Sequence, residues 1–120
     1  MPELPDVVVY IESLEARILG QTLEGVKILN PFVLRSVSPA LEDVRGKSVS
    51  SLHRLGKLIV IGLDPDYFLV IHLMVAGRLR WLEPNAKLPG RISLASFHFA
   101  HGLLVLTEAG TQRRASIHLV

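Results

Sequence analysis

The most reactive chemistry in the chain lies in its opening residues, Met1-Pro2-Glu3-Leu4-Pro5-Asp6. Removal of Met1, usual when a small residue follows, leaves Pro2 as the N-terminus, with a secondary amine able to attack a carbonyl carbon. A terminal amine titrates near pH 8 and a lysine side chain near about 10.4, so roughly a tenth of the terminal amine is neutral at pH 7. Glu3 beside it supplies a carboxyl group for proton transfer, the partner that a covalent nucleophile needs. Taken alone, a Met-Pro start is also an ordinary beginning of a chain.

Basic side chains form the second set of candidates. His53-Arg54-Leu55-Gly56-Lys57 places three basic groups at a turn in which Gly56 lets Lys57 project from a rigid position, a pattern suited to phosphate contact, although taken alone it reads first as a solvated hairpin end. Arg78 and Arg80 are two apart, hence on one face of a strand, and Arg113-Arg114 form a further cluster on a loop. Brought together by the fold, these groups supply the electrostatic groove that nucleic-acid backbone binding requires; separately they read as surface charge. His72 lies in an apolar strand and is by default a hydrogen-bonded, half-buried histidine. His98 and His101 lack a carboxylate or cysteine at suitable spacing, so no metal site is expected. No phosphate-binding glycine loop or serine nucleophile elbow is present.

These residues need elements to hold them. Residues 5–19 read as an amphipathic helix, with Val7, Ile11, Leu14 and Ile18 on one face, Pro5 at a first helical position and Gly20 at the exit. Asp6 in the first turn complements the helix dipole, whose positive end lies close to Pro2 and Glu3. Beyond Gly20 the pattern changes to short β-type runs over 22–30, 33–37, 47–54, 57–63, 67–75, 77–82, 93–99 and 103–108, with a helical turn expected between Ser38-Pro39 and Gly46. Asp64-Pro65-Asp66 and Ala100-His101-Gly102 mark hairpin turns, and residues 83–91 read as a loop. The expected fold is mainly β (α+β): an eight-stranded antiparallel β-sandwich or flattened barrel with an N-terminal helix packed on it.

The 120 residues suffice for one domain with a core. With 49% hydrophobic and 20% charged residues the composition is globular. The formal net charge is +2 with a pI near 9.3, which permits a nucleic-acid partner without demanding one. The chain has no cysteine, which excludes a disulfide framework or a cysteine zinc site within it. It shows neither a secretion leader nor a membrane-length apolar run, so a soluble intracellular protein is expected. Residues 117–120 stop in apolar sequence, as a domain cut from a longer chain would.

Three segments in order, Met1-Pro2-Glu3-Leu4-Pro5-Asp6-Val7, Arg54-Leu55-Gly56-Lys57 and Ile71-His72-Leu73-Met74-Val75-Ala76-Gly77-Arg78-Leu79, together resemble the N-terminal catalytic domain of the formamidopyrimidine-DNA glycosylase and endonuclease VIII family, over nearly the whole chain. The resemblance implies a base-excision-repair enzyme for oxidised bases, both glycosylase and AP lyase, whose partner is damaged double-stranded DNA. It implies that Pro2 attacks C1′ of the damaged nucleotide to give an iminium, that Glu3 handles protons on the sugar, and that Lys57 contacts phosphate and assists base removal before β,δ-elimination. It places His72, Met74, Val75, Arg78, Arg113 and Arg114 at the DNA.

The chain also departs from the family pattern. Asp6 stands where Glu is common. In the family's His-Leu-Gly-Met-Ser-Gly strand motif, Met74 falls on the glycine and Val75 on the methionine that fills the gap left by a flipped base. Arg113 matches the arginine inserted opposite the orphaned base, while Ala115 replaces an aromatic wedge. The alternative is therefore a non-catalytic DNA-binding or scaffolding relative. The resemblance implies no cofactor within this chain: the family's helix–two-turn–helix and its finger, which holds zinc in some members, would follow residue 120. It also implies a cytoplasmic, nucleoid-associated protein.

Overall fold

The computed structural model describes residues 4–36, 40–74, 76–88, 90–109 and 114–120, with side chains from Val8 onward. A helix, α1 (Leu4–Ile18), is followed by eight strands: β1 (Gly25–Ile28), β2 (Val49–Leu55), β3 (Leu58–Leu63), β4 (Tyr67–His72), β5 (Gly77–Leu82), β6 (Ser93–Phe99), β7 (Gly102–Glu108) and β8 (Ser116–Leu119). They form two four-stranded antiparallel sheets, in the orders β1-β6-β7-β5 and β2-β3-β4-β8. The expected sandwich with its N-terminal helix is the fold observed. Among the described residues no helix is long and apolar enough to cross a membrane.

The core is built as alternation requires. Ile59, Ile61, Ile71 and Ile117 of one sheet face Phe97, Leu104 and Leu106 of the other in one buried cluster. Ile11, Leu14 and Ile18 of α1 join that cluster at helical spacing. β7, a central strand, is buried at every position, which explains its unbroken apolar run; β5 alternates buried and exposed along its first four residues.

Two expectations need correction. Described residues 33–36 form no strand, because the Asn30 side chain accepts a hydrogen bond from the Phe32 N–H at 3.0 Å and Pro31 starts a 3₁₀ turn, Pro31–Val33. Leu34 retains one parallel bridge to Ile117. The eighth strand is instead β8, whose residues pair with β4 from Leu69↔Leu119 to His72↔Ser116. The strand expected over 67–75 ends at His72, and a turn follows. A helical turn does form before Gly46, as a 3₁₀ segment, Leu41–Val44.

The helix is pinned at one end of the sandwich. The Gly20 N–H donates to the Val49 carbonyl at the start of β2, 2.9 Å. His101, in the β6–β7 turn, binds the Arg17 carbonyl through Nε2 at 2.6 Å. Trp81 packs there as well, with the Arg17 guanidinium 5.5 Å from its ring centre and the His101 ring 4.9 Å away. Lying on β2 and β3, the 15-residue helix is about 22 Å long, matching the roughly 23 Å of seven-residue β2. The opening turn of α1 is thereby carried toward the opposite end.

Candidate active site at one end of the sandwich

That opposite end begins with the β2–β3 turn. Leu55 pairs with Leu58 across a two-residue loop of Gly56 and Lys57. Gly56 has φ +62°, and Lys57 is not among the residues with positive φ, the sign pattern of a type II′ turn with glycine first. Lys57, half-buried, is thus held at a rigid corner. His53 and Arg54, expected at the same turn, lie on β2 itself and are exposed. The Arg54 Nη1 approaches the Gly56 carbonyl at 3.5 Å.

Strand register brings the other residues to this end. Ile59 at the start of β3 pairs with Ile71, and His72 with Ser116, so the Lys57 turn, His72 and the start of β8 form one edge. In the other sheet Gly77 pairs with Glu108. Two of the three connections that cross between the sheets, from His72 to Gly77 and from Glu108 to Ser116, therefore start and finish at the same end. The first carries Met74 and the second carries Arg114.

The His72–Gly77 connection is tightly constrained. The Gly77 N–H donates to the Leu73 carbonyl at 2.9 Å, closing a five-residue turn. A Cβ on Gly77 would run into that same carbonyl. Met74 has φ +58° and is the one non-glycine residue with positive φ among the described residues. This left-handed backbone costs an L-residue about 1–2 kcal/mol and suits glycine, so the position where the family motif has glycine keeps the geometry of one. Arg78 follows, exposed at the start of β5, its Nη1 donating to the Gly77 carbonyl at 2.7 Å. Arg80 shares its exposed face two residues along.

The Glu108–Ser116 connection is anchored by a residue that sequence reasoning missed. Glu108 is 1% exposed, and its two carboxylate oxygens accept from the Ala115 N–H at 3.2 and 3.0 Å. The carboxylate ties the far end of the connection back to β7, fixing where exposed Arg114 emerges. At the end of an apolar run a glutamate reads as the first solvent-facing residue; only the Gly77↔Glu108 register shows it to be interior.

Of the residues singled out from sequence, Lys57, His72, Met74, Arg78 and Arg114 gather at this end. Pro2, Glu3, Val75 and Arg113 lie outside the described residues. His98 and His101 do not converge: His98 Nε2 is 2.8 Å from Ser96 Oγ, whereas His101 holds the helix. The gathered set can present cations to a polyanion beside the end of the sandwich toward which α1 opens. No group of three or more metal-ligating side chains occurs among the described residues.

A family model for the formamidopyrimidine-DNA glycosylase N-terminal domain matches residues 1–115. The formamidopyrimidine-DNA glycosylase of Pelotomaculum thermopropionicum is 38% identical over 104 residues, 85% of this chain and 37% of that protein. That of Mycoplasma genitalium is 31% identical over 121 residues, 99% of this chain and 42% of that protein. The fold superimposes on the Lactococcus lactis Fpg crystallised with abasic-site DNA with a TM-score of 0.91 at 23% identity, covering 99% of this chain and 44% of that one. The chain spans about two fifths of the length of these relatives. With the sandwich, the order of its motifs and a match running from its first residue to Ala115, the chain belongs to the formamidopyrimidine-DNA glycosylase family as its N-terminal domain.

Proposed function

We propose that this chain is the catalytic part of a DNA glycosylase and AP lyase that removes oxidised bases from damaged double-stranded DNA. The observation that carries the reading is the gathering of Lys57, His72, Met74, Arg78 and Arg114 at the end of the sandwich toward which α1 opens, in a chain of this family. Pro2 and Glu3 immediately precede that helix in sequence.

The chemistry follows from the residue types. The damaged nucleotide leaves the stack so that its sugar can be reached. The Pro2 nitrogen, as a free secondary amine, forms a bond to C1′ while the C1′–N bond to the base breaks, and the base departs with a proton. Opening of the sugar ring leaves a cationic iminium, an electron sink that acidifies C2′ and drives elimination of the 3′ and then the 5′ phosphate without a cofactor. Glu3 transfers protons to and from the sugar. Lys57 binds the phosphate beside the lesion, while His72, Met74, Val75, Arg78, Arg113 and Arg114 hold the DNA. Phosphate contacts fix register and orientation, and the residues that enter the duplex set lesion choice.

The test is reductive trapping with the whole protein. Borohydride in the presence of abasic-site DNA yields a covalent adduct, and one extra residue ahead of Pro2 abolishes it by moving the amine away. Intact mass measured on the same sample establishes that Pro2 is free. A protein with free Pro2 that binds DNA in a salt-sensitive manner and gives no adduct is the non-catalytic relative, the outcome that defeats the enzymatic reading.

A further inference from the structure

Phe32 is the most exposed of the large apolar residues among those described, at 76%, although it sits on an ordered turn. Its N–H is capped by Asn30 Oδ1 at 3.0 Å, and its carbonyl accepts from Arg35 Nε at 2.6 Å. An aromatic ring held out by a doubly fastened turn is preorganised for a flat partner. Beside it runs an open groove of about 710 Å³, lined by Leu29, Phe32 and Leu88 together with the cations Lys87 and Arg91, and among the described residues by no carboxylate. Its charge complements an anion and its apolar wall suits a ring.

The turn's position connects it to the site already described. Arg35 N–H donates to the Ile117 carbonyl at 2.9 Å and Leu34 bridges Ile117, so the chain after Phe32 runs along the free edge of β8. Phe32 therefore lies just beyond Ser116 at the end that carries Lys57 and His72. It also shares a small recess with Ala115. From β3 through β4 and β8 to the Leu34 segment there are three interstrand spacings, about 14 Å. That is the length of about four stacked nucleotides of one strand.

We infer that Phe32 and the Lys87–Arg91 groove form a second DNA-binding surface, in which a base near the lesion stacks on the Phe32 ring and the adjoining backbone lies against the two cations. Base stacking on an aromatic side chain accounts for such binding without base-specific hydrogen bonds. The inference rests on the DNA-repair reading above and adds a binding surface to it.

The experiment uses the whole protein and a duplex containing a stable abasic-site analogue, with 2-aminopurine placed in turn at each position within four nucleotides of the lesion. Phe32→Ala weakens binding about ten-fold, and Phe32→Trp restores it. At one position the fluorophore is quenched in the wild type and the tryptophan variant but not in the alanine variant. Replacing Lys87 and Arg91 by alanine lowers the slope of log K against log salt by about 0.9 for each phosphate that is no longer neutralised. Binding by Phe32→Ala within two-fold of wild type, with no position showing Phe32-dependent quenching, overturns the inference while Pro2-dependent trapping leaves the enzymatic reading standing. Wild-type protein that neither binds nor traps DNA overturns both.

Discussion

Replacing Gly77 by alanine should unfold the candidate site from its most constrained point. The new Cβ is directed at the Leu73 carbonyl, the same atom that accepts the residue 77 N–H at 2.9 Å. The obstacle is backbone, and Leu73 is itself buried, so no side chain can swing aside to make room. Relief requires opening the turn. Overpacking of this kind costs about 1–3 kcal/mol, and breaking the hydrogen bond adds about 1 kcal/mol, for a total of roughly 2–4 kcal/mol. Unfolding entropy near 2.1 cal/mol/K per residue makes 1 kcal/mol worth about 4 °C in a domain of this size, so the midpoint falls by about 8–16 °C. Gly25→Ala is the control, since a Cβ there meets nothing within 4 Å. Both substitutions reduce the freedom of the unfolded chain by the same amount, so the difference between them isolates the clash. Thermal melts followed by circular dichroism measure it. A Gly77→Ala protein melting within about 2 °C of Gly25→Ala would refute the view that the Leu73 carbonyl defines this turn.

Glu108→Ala leaves the buried Ala115 N–H without its acceptor and should cost about 1–3 kcal/mol in urea denaturation, whereas Glu108→Gln keeps a carbonyl oxygen at the same place and recovers most of it. Equal losses in the two variants would mean that the negative charge, not the acceptor, matters. Trp81→Ala removes the ring against which Arg17 and His101 pack and should cost about 2 kcal/mol, below the 3–5 kcal/mol of a fully buried tryptophan. Amide exchange in the last turn of α1 should accelerate with it; exchange unchanged there would show that Ile11, Leu14 and Ile18 hold the helix by themselves.

The sequence reveals what is decided locally and conceals what is decided by register. The helix over 5–19 and the hairpins about Asp64-Pro65-Asp66 and Ala100-His101-Gly102 are legible because spacing and turn residues within a few positions determine them, and the structure has them within a residue or two. The strand expected over 33–37 fails for a local reason. Asn30-Pro31 reads as a break before a new strand, but a capping side chain followed by proline also starts a 3₁₀ turn, and that turn is what holds Phe32 outward. β8 is hidden because its four residues are too few to show an alternation, and its partner lies more than 40 residues earlier in β4. The site itself is legible only as three segments in the right order, because neither composition nor periodicity says that residue 57 lies beside residue 72 or residue 108 beside residue 77. Met74 shows how the two kinds of information meet. Aligned on a motif glycine it reads as a side-chain departure, yet its φ of +58° is the left-handed backbone that suits glycine. A turn that keeps a left-handed position against a cost of about 1–2 kcal/mol is held by what surrounds it: the Leu73–Gly77 hydrogen bond on one side and the His72↔Ser116 and Gly77↔Glu108 pairs that bracket it. The departures at Met74 and Ala115 therefore leave the framework of this end intact: Met74 sits half-buried on its turn, and Ala115 is buried with its N–H held by the Glu108 carboxylate.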